Sequence, residues 1–164
     1  MEIREMKIDD LAPVYHLGEK LFTSERHSNL YRTWSESEVT SMFLSSPRLS
    51  LVAEEDGRVA GFLLGSIIQK PRTAWNYGHL VWLGVDPSWQ RGGIGRKLYE
   101  YFKDIMTEEG IRILIVDTQA DNEKALAFFR RRGFAQETEH VYLALNIESA
   151  GRDNDDMKGS NIAL

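Results

Sequence analysis

Val85-Asp86-Pro87-Ser88-Trp89-Gln90-Arg91-Gly92-Gly93-Ile94-Gly95-Arg96 is the stretch whose reading decides the fold of this 164-residue chain. Before it, Ala74 to Val85 reads as a strand closed by Asp86-Pro87. After it, apolar residues fall at Ile94, Leu98, Tyr101, Phe102, Ile105 and Met106, a helical stripe that ends at Gly110. Strand, glycine turn and helix together aim backbone N–H groups and the positive end of a helix at an anion. Gly92, Gly93 and Gly95 are expected to supply positive φ values and to keep Cβ atoms away from a ligand. Arg91 and Arg96 flank the turn with charge. No Gly-Lys-Ser/Thr follows, as a Walker A loop requires, and the third glycine is misplaced for a dinucleotide fingerprint. The bland alternative is a glycine-rich connection that holds nothing.

Outward from the turn, Ile111 to Val116 reads as a strand buried on both faces, making strand–helix–strand a right-handed parallel crossover. Asn122 to Arg132 has helical spacing and stops at Gly133, a left-handed C-terminal cap. Phe134 to Ile147 reads as one long strand or a bent pair. Toward the N-terminus, Leu49–Glu54 and Val59–Ile68 flank Asp56-Gly57, a strong hairpin signal. Ser35-Glu36-Ser37-Glu38 is a capping box opening a helix that runs up to Pro47. Asp9 or Asp10 can cap a helix carrying Leu11, Val14, Leu17 and Leu21, and Glu2–Met6 is a short edge strand. Residues 22–34 are irregular. The domain therefore covers 1–148, and the Gly-, Asp-, Asn- and Ser-rich tail 149–164 is expected to be disordered.

Hydrophobic residues make up 42% and charged residues 27%, the balance of a globular chain with one core. No apolar run approaches the roughly 20 residues that span a bilayer. Met1-Glu2-Ile3-Arg4-Glu5 lacks the layout of a signal peptide, so a cytoplasmic protein is expected, with no membrane partner. The absence of cysteine removes disulfides, thiolate zinc sites and a cysteine nucleophile, and no metal is expected. A net charge of −5 argues against nucleic acid and suits a cationic acceptor such as an amine.

Gln90-Arg91-Gly92-Gly93-Ile94-Gly95 resembles the Q/R-x-x-G-x-G/A signature of the GNAT superfamily of N-acetyltransferases. Leu83-Gly84-Val85-Asp86-Pro87 resembles that family's splayed strand, and Asn122-x-x-Ala125-x-x-x-Phe129-x-x-x-Gly133-Phe134 its second signature. The likeness covers residues 2–147. It implies an α/β (α+β) fold: a mixed, mostly antiparallel seven-stranded sheet with about four helices and a splayed central parallel pair. It also implies acetyl-CoA as cosubstrate and an amine acceptor, a small molecule or a protein. Backbone groups of Leu83, Gly84 and Val85 would take the pantetheine arm as though adding a strand. The segment Gln90, Arg91, Gly92, Gly93, Ile94, Gly95, Arg96 would hold the pyrophosphate. Asn122 would contact the pantetheine or order its loop, and Phe129 would pack near the thioester sulfur. Final strands in this family often pair across a two-fold, which leaves a homodimer open.

Direct acyl transfer needs a base for the amine proton and a donor for the oxyanion. By analogy the Val85 N–H is the oxyanion donor. Asp117 follows Ile113-Leu114-Ile115-Val116 at a strand end, where desolvation raises a carboxyl toward useful basicity. It lies five residues before Asn122, where ribosomal-protein N-terminal acetyltransferases carry a catalytic glutamate. The alternative is that it merely bonds the loop 118–122. His79, on the strand leading into the turn, is the rival base, against the reading of an ordinary polar strand residue. Many family members have a tyrosine as general acid where this chain has Phe129. Either Tyr77 or Tyr142 reaches in, or the thiolate leaves unassisted, a thiol of pKa about 8.5 being a fair leaving group. That departure admits a second reading, a non-catalytic acyl-CoA-binding sensor or regulatory module. Trp75, Tyr77 and Trp82 read as core and sheet surface before an acceptor cage. Arg130-Arg131-Arg132 reads first as a solvated helix end and second as a contact to the CoA 3′-phosphate. In the resemblance, Glu25, His27, Tyr31 and Trp34 line the acceptor site.

Overall fold

A computed structural model describes residues 1–22, 33–69, 75–139 and 141. In chain order the elements are β1 (Glu2–Glu5), α1 (Leu11–Phe22), α2 (Glu36–Ser45), β2 (Ser50–Glu55), β3 (Arg58–Gln69), β4 (Asn76–Val85), α3 (Ile94–Glu108), β5 (Ile113–Val116) and α4 (Glu123–Arg130). The sheet order is β1-β2-β3-β4-β5, antiparallel up to β4, with β5 parallel to β4. The hairpin between β2 and β3 turns on Asp56 and Gly57, both at positive φ (51° and 73°), as a two-residue turn matching strand twist demands. The parallel pair follows from the α3 crossover, since a strand cannot return parallel without one.

The sheet divides two cores. Leu51, Ala53, Leu63 and Leu80 pack with Leu98, Phe102 and Met106 of α3 and Phe129 of α4. On the other face Val52, Phe62, Leu64 and Trp82 pack with Val14 and Leu17 of α1 and Val39 and Met42 of α2. Trp34 joins that second core, donating its indole N–H to the Tyr15 carbonyl at 2.9 Å. A Cβ placed on Gly18 would lie 2.0 Å from the Trp34 ring, so α1 carries a glycine there to seat it. At the start of the chain Arg4 forks between two carboxylates. It bonds both oxygens of Asp10 (2.6 and 3.0 Å) and Glu54 Oε2 (2.6 and 2.9 Å), tying β1 to β2 and to the turn before α1.

Several expectations are corrected. The described residues carry five strands, not seven. Residues 134–139 form no strand, because Phe134 folds back onto Phe129 and Tyr99 instead of extending, while 140 and 142–147 lie outside the described residues. Among the described residues β5 is an edge strand, with Ile113 38% exposed, rather than one buried on both faces. Asp10 does not cap α1: its carboxylate takes the Lys7 N–H at 2.7 Å and caps the preceding tight turn. The box at Ser35 is half made, since Ser35 Oγ accepts from the Glu38 N–H while the Glu38 carboxylate turns to the Trp82 indole at 3.2 Å. The tail 149–164, together with Glu25, His27, Tyr31, Ala74 and Tyr142, lies outside the described residues.

Candidate functional site

β4 is where the sheet opens. Its parallel register with β5 runs from Tyr77↔Ile113 to Leu80↔Val116 and stops, while its antiparallel register with β3 continues to Val85. Between Leu80 and Trp82 the β3 register slips, leaving Val81 as a bulge that adds twist. The bulge also changes which residues face which core. Before it, Gly78 and Leu80 face α3; beyond it, Leu83 and Val85 do. Asp86 donates its N–H to Ala60 of β3 at 2.9 Å. By strand alternation the N–H groups of Val85 and Leu83 then point the other way, to the edge that β5 has left.

That open edge leads into the glycine turn. Asp86 caps a tight turn over Pro87–Gly92, accepting from the Ser88 N–H (2.8 Å) and hydroxyl (2.6 Å), and these bonds hold its carboxyl below the usual range. Gly93 follows at φ 68°, in the left-handed region, with nothing within 4 Å of a Cβ built on it. It is the only one of the three turn glycines at positive φ: Gly92 belongs to the tight turn and Gly95 to α3, correcting the expectation for both. Ile94 is buried and anchors the start of α3 in the core. α3 begins with no capping side chain and no acidic residue in its first turn. α2 and α4 differ, being capped by Ser35 and Asn122 with Glu36 and Glu123 in their first turns. The 15-residue α3 thus presents bare amides and a positive dipole end next to the open edge of β4.

Beside this helix start runs a groove of about 740 Å³ between α3 and α4, lined by Arg96, Lys103, Lys124, Arg131 and Arg132, with Glu100 as the one acid among the described residues and Tyr99 and Phe128 as aromatic walls. Arg132 stacks over the Phe128 ring at 3.3 Å and donates to the Phe128 carbonyl at 2.6 Å. Of these cations the sequence reading had only Arg96, Arg131 and Arg132. Lys103 and Lys124 would have been found by following the seven-residue spacing that puts 96 and 103, and 124 and 131, on one helix face each.

The two rival bases come together. His79 Nε2 and Asp117 Oδ1 are 2.8 Å apart, across the parallel strands and just before they part. Leu114 and Val116 pack toward α3, so Asp117 lies on the opposite face, the one that carries α1 and α2. Asn122 caps α4, its Oδ1 accepting from the Ala125 N–H at 3.2 Å. Phe129 is 8% exposed and stands edge-on to Phe128 and Phe134, in the α3-side core. Trp82 of β4 is buried, whereas Trp75, just before β4, is exposed and lies under the Arg112 guanidinium at 5.6 Å. Among the described residues no three His, Cys, Asp or Glu are grouped to hold a metal, and no helix is long and apolar enough to cross a membrane.

Residues 12–134 match the sequence model of the Acetyltransferase (GNAT) family. The chain is 26% identical over 136 residues to the [ribosomal protein bS18]-alanine N-acetyltransferase of Escherichia coli K12, covering 83% of this chain and 82% of that one. In fold it is similar to the NatC complex solved with Gag peptide and CoA (TM-score 0.70, 19% identity, 84% and 87% of the two chains). It is also similar to an aminoglycoside acetyltransferase from an uncultured soil metagenomic sample, solved with sisomicin (TM-score 0.68, 21% identity, 88% and 96%).

Proposed function

The chain belongs to the acetyltransferase (GNAT) family and is an acetyl-CoA-dependent acyltransferase; on that premise we propose that it moves an acetyl group from acetyl-CoA directly to a primary amine of a protein or peptide. The observation that carries this reading is the opening of β4 from β5 beyond Leu80, with edge amides running into an uncapped helix start. The residues fit the donor. Leu83 and Val85 offer N–H groups as a strand would to an amide-bearing arm. The first-turn amides of α3 and the space over Gly93 suit a pyrophosphate. The basic, aromatic-walled groove beyond suits the 3′-phosphorylated nucleotide end. A donor laid this way carries its acyl end toward the fork, beside His79 and Asp117.

In the proposed reaction the amine nitrogen attacks the thioester carbonyl carbon and the C–S bond breaks. The oxyanion is met by a backbone N–H of the splayed strand, that of Val85 being the candidate. The proton leaves the amine for the Asp117–His79 pair. Phe129 offers no proton to the departing sulfur, so the thiolate leaves without a general acid at that position. The protein-amine acceptor draws support from the alanine that the Escherichia coli relative's name specifies.

The test is a melting curve with and without acetyl-CoA, followed by release of free CoA thiol with a panel of amines and peptides. A ligand-dependent rise in Tm with thiol release supports the proposal, and no rise at millimolar acetyl-CoA contradicts it. Phe129 also favours a second reading, an acyl-CoA sensor, whose signature would be the Tm rise without transfer to any amine.

A further inference from the structure

We propose that the last turn of α1 is a positioning device for the oxyanion donor: Leu21, seated on the bare backbone of Gly84, fixes the peptide that presents the Val85 N–H; the inference rests on the acetyltransferase reading above. Three consecutive α1 residues meet the splayed stretch of β4 in reverse order. The Phe22 ring stands 4.8 Å from the ring of Trp82. Leu21 Cδ1 lies 2.8 Å from where a Cβ of Gly84 would be, and the Phe62 ring 2.7 Å from the same point. The Ser88 bonds, and then the Lys20 charge, hold the Asp86 carboxyl below its usual range. Positions 82 and 84 share the face of β4 that carries α1, whereas Leu83 and Val85 turn to α3.

Gly84 is a glycine for room and not for conformation. Its φ lies outside the left-handed region, yet a methyl there would collide with Leu21 and Phe62. The peptide that follows is held at its oxygen too. The Gly84 carbonyl oxygen lies 2.9 Å from where a Cβ of Gly61 would be, so β3 also approaches it at a glycine. A trans peptide is planar, so an oxygen turned to β3 sends the Val85 N–H to the edge that β5 has left. On the α3 side, Val85 Cγ2 lies 3.6 Å from the Cβ position of Gly95. A strand inside a sheet has its peptide planes fixed by hydrogen bonds on both edges. Beyond Leu80, among the described residues, β4 has them on the β3 edge alone. Packing from α1 and α3, one on each face, takes over the task of the missing neighbour. Aim matters here, because an oxyanion donor works at about 2.7–3.1 Å from the developing charge and a misplacement of about 1 Å costs about 100-fold.

Three variants of the full chain test this: Leu21→Ala, Gly84→Ala and the two together. Release of free thiol from acetyl-CoA is followed with an alanine-first pentapeptide bearing a free α-amine, alongside melting curves with and without acetyl-CoA. Each single change is expected to lower kcat about 10- to 100-fold while KM for acetyl-CoA stays within about threefold, the pyrophosphate turn being untouched. The acetyl-CoA-induced rise in Tm persists in both. Removing the leucine tip gives the new methyl room, so the double variant should turn over faster than Gly84→Ala alone. A purely structural Leu21 would lower the Tm of the free protein and leave kcat at the parent value well below that Tm, and this result overturns the inference. A raised KM with unchanged kcat overturns it as well, and so does a double variant no faster than Gly84→Ala. Leu21→Ala carries the test by itself if Gly84→Ala does not fold. Backbone amide NMR of the acetyl-CoA-free protein adds a readout that needs no acceptor: the Val85 signal should move in Leu21→Ala, and a signal at its parent position overturns the inference. The acetyl-CoA-induced rise in Tm separates the two levels: its absence in the parent defeats the acetyltransferase reading, whereas its persistence with any overturning outcome above defeats only this inference.

Discussion

At φ 68° Gly93 occupies backbone space where a side chain costs about 1–2 kcal/mol in an L-residue. The space above it is open, so a side chain there meets no protein atom within 4 Å. Gly93→Val is accordingly expected to lower stability only by about that cost while abolishing the acetyl-CoA-induced rise in Tm. A valine variant that still shows the rise would remove the turn from the donor site. Phe129 poses the opposite question. It is packed edge-on to Phe128 and Phe134 and 8% exposed, so a hydroxyl added there carries a polar group into the aromatic packing of the core. If the thiolate leaves unassisted, Phe129→Tyr changes kcat by less than about threefold, while costing about 1–3 kcal/mol of stability by overpacking. A tenfold gain in kcat would show that leaving-group protonation limits the natural protein.

Helix α1 shows how an element's neighbours override its propensities. Gly18→Ala would gain up to about 1 kcal/mol in an exposed helix. Here the new methyl would stand 2.0 Å from the Trp34 ring, which is pinned by its bond to the Tyr15 carbonyl. Overpacking, about 1–3 kcal/mol, wins, and chemical denaturation should show a loss of stability. The same distinction separates what was legible in the sequence from what was not. Asp56-Gly57, the stripe from Ile94 to Met106 and the glycine stop at Gly133 are local signals, and each produced the element expected. The bulge at Val81 depends on how β3 and β4 align, which no local pattern encodes. His79 and Asp117 were each legible as candidates but not as a pair, because 38 residues and a crossover separate them. Glu38 left its capping box for the Trp82 indole for the same reason: the competing partner comes from a distant strand. Glycine permits positive φ at 92 and 95 but does not require it, and membership of a tight turn and of a helix keeps both out of that region.

Over the whole molecule, the Arg4–Asp10–Glu54 cluster joins the start of the chain to the sheet. Burial opposes ionisation of Asp10, but Arg4 and the Lys7 amide outweigh it, and the carboxyl sits below its ordinary range. A carboxyl depressed on folding stabilises the protein above its unfolded value, near 3.9, and that contribution is lost as pH falls through the lower folded value. Asp10→Asn should therefore destabilise by about 2 kcal/mol at pH 7, with the difference from the parent shrinking below pH 4. A pH-independent difference would mean that Asp10 acts through packing alone. Among the described residues, the two-faced sheet that this cluster helps to close opens along the edge of β4 beyond Leu80, and the functional account depends on what enters there. Backbone amide NMR during titration with acetyl-CoA tests that most directly. The account predicts saturable shifts at Leu83, Val85 and Gly93 through Arg96; shifts absent from these amides at millimolar acetyl-CoA, or confined to other parts of the chain, would contradict it.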